Sequence, residues 1–205
     1  MHFIEETYEV ALEKVTATVE NYNFNNLTHY KWWLSQTFYF VSHSTKLLAL
    51  AAAHCEVNNP HHVRFCQHIA EESAHERLLL DDLGSLNTKP EEYQELAPTM
   101  ALYQSQYYYI QHHSPLALYG YILLLEGIAS RLGPSMHTLL EDRFGANATK
   151  FIKVHALEDQ DHIVKALEMV STLNDKDLNL ISKNLNNSAY YYTNMLTESA
   201  LRISQ

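Results

Sequence analysis

The segment FIKVHALEDQDHIVKAL, residues 151–167, sets two imidazoles and a carboxylate on one helical face. His155, Asp159 and His162 stand at i, i+4 and i+7, which brings them within about 40° of one another around a helix. Glu158 falls on the edge of that face. The flanking Phe151, Ile152, Val154, Ile163 and Leu167 read as a core-facing stripe. A solvated surface helix with internal ion pairs would account for any one of these polar residues. It does not account for three metal-capable groups together beside an apolar stripe.

A second constellation lies in CQHIAEESAHERLLLDDL, residues 66–83. Glu72 and His75 are spaced ExxH, Glu71 precedes the histidine by one turn, and His68 lies a further turn back. On a helix, ExxH lets one segment give an oxygen and a nitrogen ligand to the same pair of ions. Alone the match is weak, but Asp159 and His162 form a second acid-x-x-His pair on another helix. Glu126 is the third element. From Leu116 to Ile128 it is the sole charged residue in a run apolar enough to be buried nearly all round. An unpaired carboxylate there would cost several kcal/mol. A cation must therefore meet it: either a basic side chain such as Arg131, one turn on, or a metal dication.

The set Glu72, His75, Glu126, His155, Asp159 and His162 combines imidazoles with hard carboxylates and contains no thiolate. That donor chemistry suits non-haem iron, or manganese, better than a structural zinc. Six ligands suit two ions, with open positions for dioxygen. Glu71 and His68 remain alternatives to Glu72 as the early-helix ligand.

The chain that must position these groups has 205 residues and is 46% hydrophobic, enough for one sizeable core, so residues 1–205 are read as a single domain. Its 14 basic and 24 acidic residues give a net charge of −10, which disfavours nucleic acid or an anionic membrane as partner. The start MHFIEETYEV lacks the basic and apolar regions of a signal peptide, and runs such as LLALAAA fall far short of a membrane span, so a cytoplasmic protein is expected. Cys55 and Cys66 lack metal-type CxxC spacing and are read as free thiols. Five Gly and five Pro, with no alternating apolar pattern, predict an all-α protein. The helices are expected near 4–21, 28–56, 60–84, 90–113, 115–132, 135–143, 147–172 and 176–202. Asn59–Pro60 and Ser114–Pro115 serve as N-cap and first-turn pairs.

A ferritin-like four-helix bundle would need a glutamate from its first helix, and none stands between Glu20 and Glu56. From about Asn26 to Val170 the chain instead resembles the haem-oxygenase-like diiron oxidases and oxygenases, relatives of the CADD, TenA and PqqC folds. The resemblance lies in FYFVSHSTKLLALAAA, HIAEESAHERLLLDDL, LYGYILLLEG and HALEDQDHI, where HxxxDxxH matches the family's last ligand helix. It implies a haem-oxygenase-like bundle of seven or eight helices and two irons at its centre. It also implies dioxygen-dependent oxidation of a small-molecule substrate. Carried over by position, Glu126 is the middle-helix ligand and His155, Asp159 and His162 the last-helix ligands, with His75 and a preceding acid on the earlier helix. Where some members place a carboxylate seven residues before that histidine, this chain has His68. Such proteins often hold one iron weakly. The fold is compatible with a homodimer, although no spare stripe marks an interface.

His43 is read as a hydrogen-bonded core or supporting residue. The tyrosines 103, 107, 108, 109, 119 and 121 are read as packing, or as the wall of a substrate cavity. The competing functions are a TenA-like hydrolase, which needs a thiol close to an acid, and a non-catalytic metal-binding helical protein.

Overall fold

The computed structural model describes the backbone of residues 2–203 and the side chains of residues 4–156 and 162–203. Among the described residues there is no strand, and nine α-helices follow in order. These are α1 (His2–Asn21), α2 (Leu27–Val41), α3 (Ser44–Ala53), α4 (Pro60–Glu71), α5 (His75–Ser85), α6 (Ala97–His112), α7 (Leu118–Phe144), α8 (Lys150–Ser171) and α9 (Asp175–Ile203). The all-α expectation holds. Asn59 caps α4 through its side chain to His61 N–H at 2.9 Å, with Pro60 in the first turn. The Ser114 hydroxyl accepts from Leu116 N–H, opening the short turn before α7.

Four expected boundaries are corrected. Residues 28–56 form α2 and α3, because the weak helix formers around Ser42 and His43 break the run and His43 turns to stack on Tyr103. Residues 90–96 do not begin an α-helix: Pro90–Glu92 make one 3-10 turn and α6 starts at Ala97. Their backbone is held by α2 instead: the Tyr39 hydroxyl donates to the carbonyls of Pro90 and Tyr93, and Gln36 bonds Gln94 O and Leu96 N–H. The expected helices 115–132 and 135–143 merge, from Leu118 on, into one helix, α7, which runs through Pro134. A proline costs a helix interior about 3 kcal/mol, so tertiary packing must hold it. The close approach of α8 supplies that packing, since a Cβ at Gly133 would lie 3.0 Å from the Cα of Ala156.

The fourth correction bears on the site. The expected helix 60–84 is broken between Glu72, the C-cap of α4, and His75, the first residue of α5. Ala74 there takes φ 71°, a left-handed conformation that costs a residue with a Cβ about 1–2 kcal/mol. The ExxH pair therefore spans two helices.

α7 is the central rod and packs most extensively on α8, then on α9 and α1. The stretch Pro115–Phe144 is long and apolar enough to cross a membrane, but two thirds of its apolar window is buried inside the bundle. That is how a core helix is covered. A Cβ at Gly120 would meet Ile181 O at 2.5 Å, so glycine is required where α7 crosses α9.

The start of α8 is fixed from α5. The fully buried Asp82 accepts from Lys150 N–H at 2.9 Å and Phe151 N–H at 3.0 Å, a helix cap supplied from 68 residues away. Asp82→Ala is expected to lower stability by about 2 kcal/mol in urea denaturation, as for a lost cap with buried donors left unpaired. Asp82→Asn, which keeps one acceptor, should lose clearly less. A drop under roughly 0.5 kcal/mol for the alanine variant would mean that this contact does not anchor α8.

Candidate metal centre

The candidate ligands converge where α4, α5, α7 and α8 meet. Two groups of donors form there. His68, Glu71 and His162 make one, and Glu72, His75 and His155 the other; in each, one ligand atom per residue lies within 4.8 Å of the others. Glu126 joins from α7, its Oε1 2.9 Å from His68 Nε2. Glu72 lies between two histidines, 3.7 Å from His68 Nε2 and 3.6 Å from His75 Nδ1. His162 Nε2 is 3.6 Å from Glu71 Oε2. The rings of His75 and His155 meet edge to face at 4.7 Å. His155 Nδ1 donates to Phe151 O at 2.9 Å, which turns Nε2, with its lone pair, toward the site.

These positions sort the expected site residues. Glu72, His75 and His155 are brought together. His162 stands with His68 and Glu71, both alternatives on sequence grounds. Glu126 touches His68. Asp159 and its neighbour Glu158 lie outside the residues whose side chains are described. His43 is no part of the centre: its Nδ1 meets the Tyr107 hydroxyl at 2.8 Å and its ring stacks on Tyr103. Of the tyrosine cluster, Tyr121 lines the adjoining cavity, as does Tyr192, which the sequence did not single out. Tyr119 instead bonds His61, Tyr109 bonds Asn187, and Tyr108 is exposed.

Glu126 is buried, 5% exposed, and does meet a cation, but not Arg131. That guanidinium pairs with Glu9 of α1 at 2.6 Å. His68 takes the role. Burial pulls its pKa down, yet the carboxylates of Glu126 and Glu72 beside it outweigh burial and raise it to about 9. Glu72 shows the mirror effect: burial would raise its carboxyl, and the imidazoles of His68 and His75 beside it hold it well below the usual carboxylate range. A signal for His68 was present in the sequence. It stands one turn before Glu72 in a chain whose one buried glutamate needed a partner.

The donors fit a metal in type and spacing. With ligand bonds near 2.1 Å, opposite ligands of one ion are about 4 Å apart, so groups within 4.8 Å need only a small contraction. The set is carboxylate and imidazole, without thiolate, which suits iron or manganese. The two groups are not equivalent. Glu71 is claimed by Arg64 at 2.8 Å and Lys165 at 3.2 Å, and burial, which would raise its carboxyl, is outweighed by the Arg64 hydrogen bond, so its pKa is lowered.

Fold and donor set together define a haem-oxygenase-like helical protein with a buried histidine–carboxylate centre. A family model described as iron-containing redox enzyme matches residues 31–185, and the chain belongs to that family. Among solved structures it is similar to a domain of unknown function with a haem oxygenase-like fold from Shewanella denitrificans (18% identity, 99% of this chain and 91% of that one, TM-score 0.79). It is also similar to TenA homologues from Pseudomonas syringae (12% identity, 97% and 93%, TM-score 0.79) and Pyrococcus furiosus (13%, 96% and 99%, TM-score 0.74). At such identities these likenesses establish the fold. No curated protein matches the chain.

Proposed function

We propose that this protein is a non-haem diiron oxidase or oxygenase that uses dioxygen to oxidise a small metabolite. The observation that carries the reading is the pair of adjacent three-donor groups, joined through Glu126 and His68, within an iron-containing redox family. Bound iron would supply the electron-transfer chemistry with dioxygen that no side chain of this set can perform. Glu72, His75 and His155 would hold one ion, and His68, His162 and Glu71 the other, with Glu126 reaching from α7 and Asp159 kept as the α8 carboxylate that its spacing from His155 and His162 suggests. Three of these groups have tasks beyond ligation. His68 must give up the proton it shares with Glu126 and Glu72 before it can ligate. His155 is held in one tautomer by Phe151 O. Glu71 must exchange Arg64 and Lys165 for a metal.

Two observations weigh against the alternatives. A TenA-like hydrolase would need a thiol at the cavity, but Cys66 is exposed, Cys55 is half-buried, and neither lines it. A non-catalytic metal-binding protein would have no use for the apolar cavity that opens beside His68, Glu72, Glu126 and His155.

Titration with ferrous iron under nitrogen, followed by admission of air, tests the proposal. The expected result is close to two irons per chain and an oxygen uptake that scales with the iron bound. Loosely bound iron without oxygen uptake would refute it.

A further inference from the structure

A cavity of about 120 Å³ adjoins the metal centre, walled by α2, α3, α7, α8 and Tyr192 of α9. For scale, an apolar cavity of roughly 150 Å³ accommodates benzene. Beyond the ligands themselves its wall is hydrocarbon and aromatic, and no Lys or Arg is among the lining residues. Among the described residues the charged groups facing it are the carboxylates of Glu72 and Glu126, with the His68 imidazole between them. A substrate carboxylate would thus find no side-chain cation of its own, and a substrate ammonium would meet only carboxylates already engaged by His68, with an apolar wall around the rest. Burying either charge unpaired is costly.

Two polar atoms in the wall lack a well-formed hydrogen bond among the described residues. Thr37, only 2% exposed, leaves Oγ1 without a partner, whereas threonines within helices often bond a carbonyl one turn back. The buried Tyr121 hydroxyl lies beside Ser44 without a well-aligned bond. A buried hydroxyl without a partner forfeits its hydration, which a ligand bringing one polar atom would recover.

Resting on the diiron reading, we infer that the part of the substrate filling this cavity is an uncharged, mainly hydrocarbon group. It is about the size of one ring or a six-carbon chain, and carries a hydroxyl or carbonyl bound by Thr37 and Tyr121. The metal faces the reacting end, and the cavity selects against charge elsewhere in the molecule.

Three probes of equal length separate the possibilities: hexan-1-ol, hexanoate and hexylammonium. Each is titrated calorimetrically into the full chain without iron, and again after iron loading under nitrogen. In both forms hexan-1-ol is expected to bind at least tenfold tighter than hexylammonium, and in the iron-free form at least tenfold tighter than hexanoate. The near-isosteric pair Thr37→Val and Tyr121→Phe should weaken hexan-1-ol by about tenfold when combined, with the iron stoichiometry unchanged. That stoichiometry also reports that the variants fold. Equal or tighter binding of hexylammonium in either form, equal or tighter binding of hexanoate without iron, no measurable hexan-1-ol binding, or full hexan-1-ol affinity in the double variant would overturn the inference. Failure of the diiron reading looks different: hexan-1-ol still binds, but the chain takes up no iron.

Discussion

Metal-free protein is expected to lose roughly 3 kcal/mol of stability between pH 6 and pH 10, with most of the loss falling between pH 6.5 and 9. The cause is His68. Its pKa rises from an ordinary 6.5 to about 9 on folding, so the folded state binds this proton more tightly than the unfolded chain. Stability from such a group is fully present below 6.5 and disappears as pH climbs through 9, at about 1.4 kcal/mol for each pH unit between those values. Glu72 acts in the opposite sense. Its depressed carboxyl contributes stability that is lost as pH falls below its ordinary range, so the metal-free optimum lies between about pH 4.5 and 6.5. Urea denaturation across this range measures the slope, and Glu126→Gln should flatten most of the alkaline limb by removing the acceptor at 2.9 Å. Iron affinity should run the other way, rising toward tenfold per pH unit between 6.5 and 9, because the proton on His68 must leave before the metal enters. A stability curve flat from pH 6 to 10 would show that His68 is neutral in the folded chain.

The second large effect concerns α8. From the sequence, His155, Asp159 and His162 form a single face, and a single coordination unit would lose everything with any one of them. The structure divides the two histidines, His155 standing with Glu72 and His75, and His162 with His68 and Glu71. His155→Ala and His162→Ala are therefore each expected to lower the iron stoichiometry from about two to about one. The affinity of the affected ion should fall by more than about 100-fold, since even an outer partner of a ligand is worth 10- to 100-fold. Oxygen uptake should disappear in both, and the double variant should bind no iron tightly. Anaerobic titration with iron analysis of the desalted protein separates the cases. If either single variant loses both ions, the two groups act as one site; if either keeps both, that histidine is not a ligand.

The reason the division was not legible lies in what periodicity can say. Spacing along α8 tells which residues share a face, but not which partner across the gap each one meets. Those partners come from α4 and α5, and their relative placement hangs on a break at Ser73–Ala74 that neither glycine nor proline announces. Read as one helix, residues 60–84 make His68 a marginal candidate; with the break, His68 and His75 approach Glu72 from either side. Long-range contacts were equally invisible: Asp82 capping α8 and Arg131 leaving for Glu9 have no local signature. What could be read had a local cause. The all-α class follows from sparse breakers and helical periodicity, and the caps at Asn59 and Ser114 from residue type. The burial of Glu126 follows from a lone carboxylate in an apolar run.

The ion pairs around the centre also describe a neutral solution of charges. Among the described residues three carboxylates, Glu71, Glu72 and Glu126, face three basic groups, protonated His68, Arg64 and Lys165. Among these described groups the acids are thus matched by basic partners before any metal arrives. Loading is then an exchange of cations rather than the filling of a vacancy. At the group of His68, Glu71 and His162 an incoming dication would displace positive charge already in place: a proton from His68 and the two side chains that hold Glu71. The two exchanges differ in kind, one governed by pH and the other by ionic strength, so acidity and salt would act as separate controls over the loading of that one group.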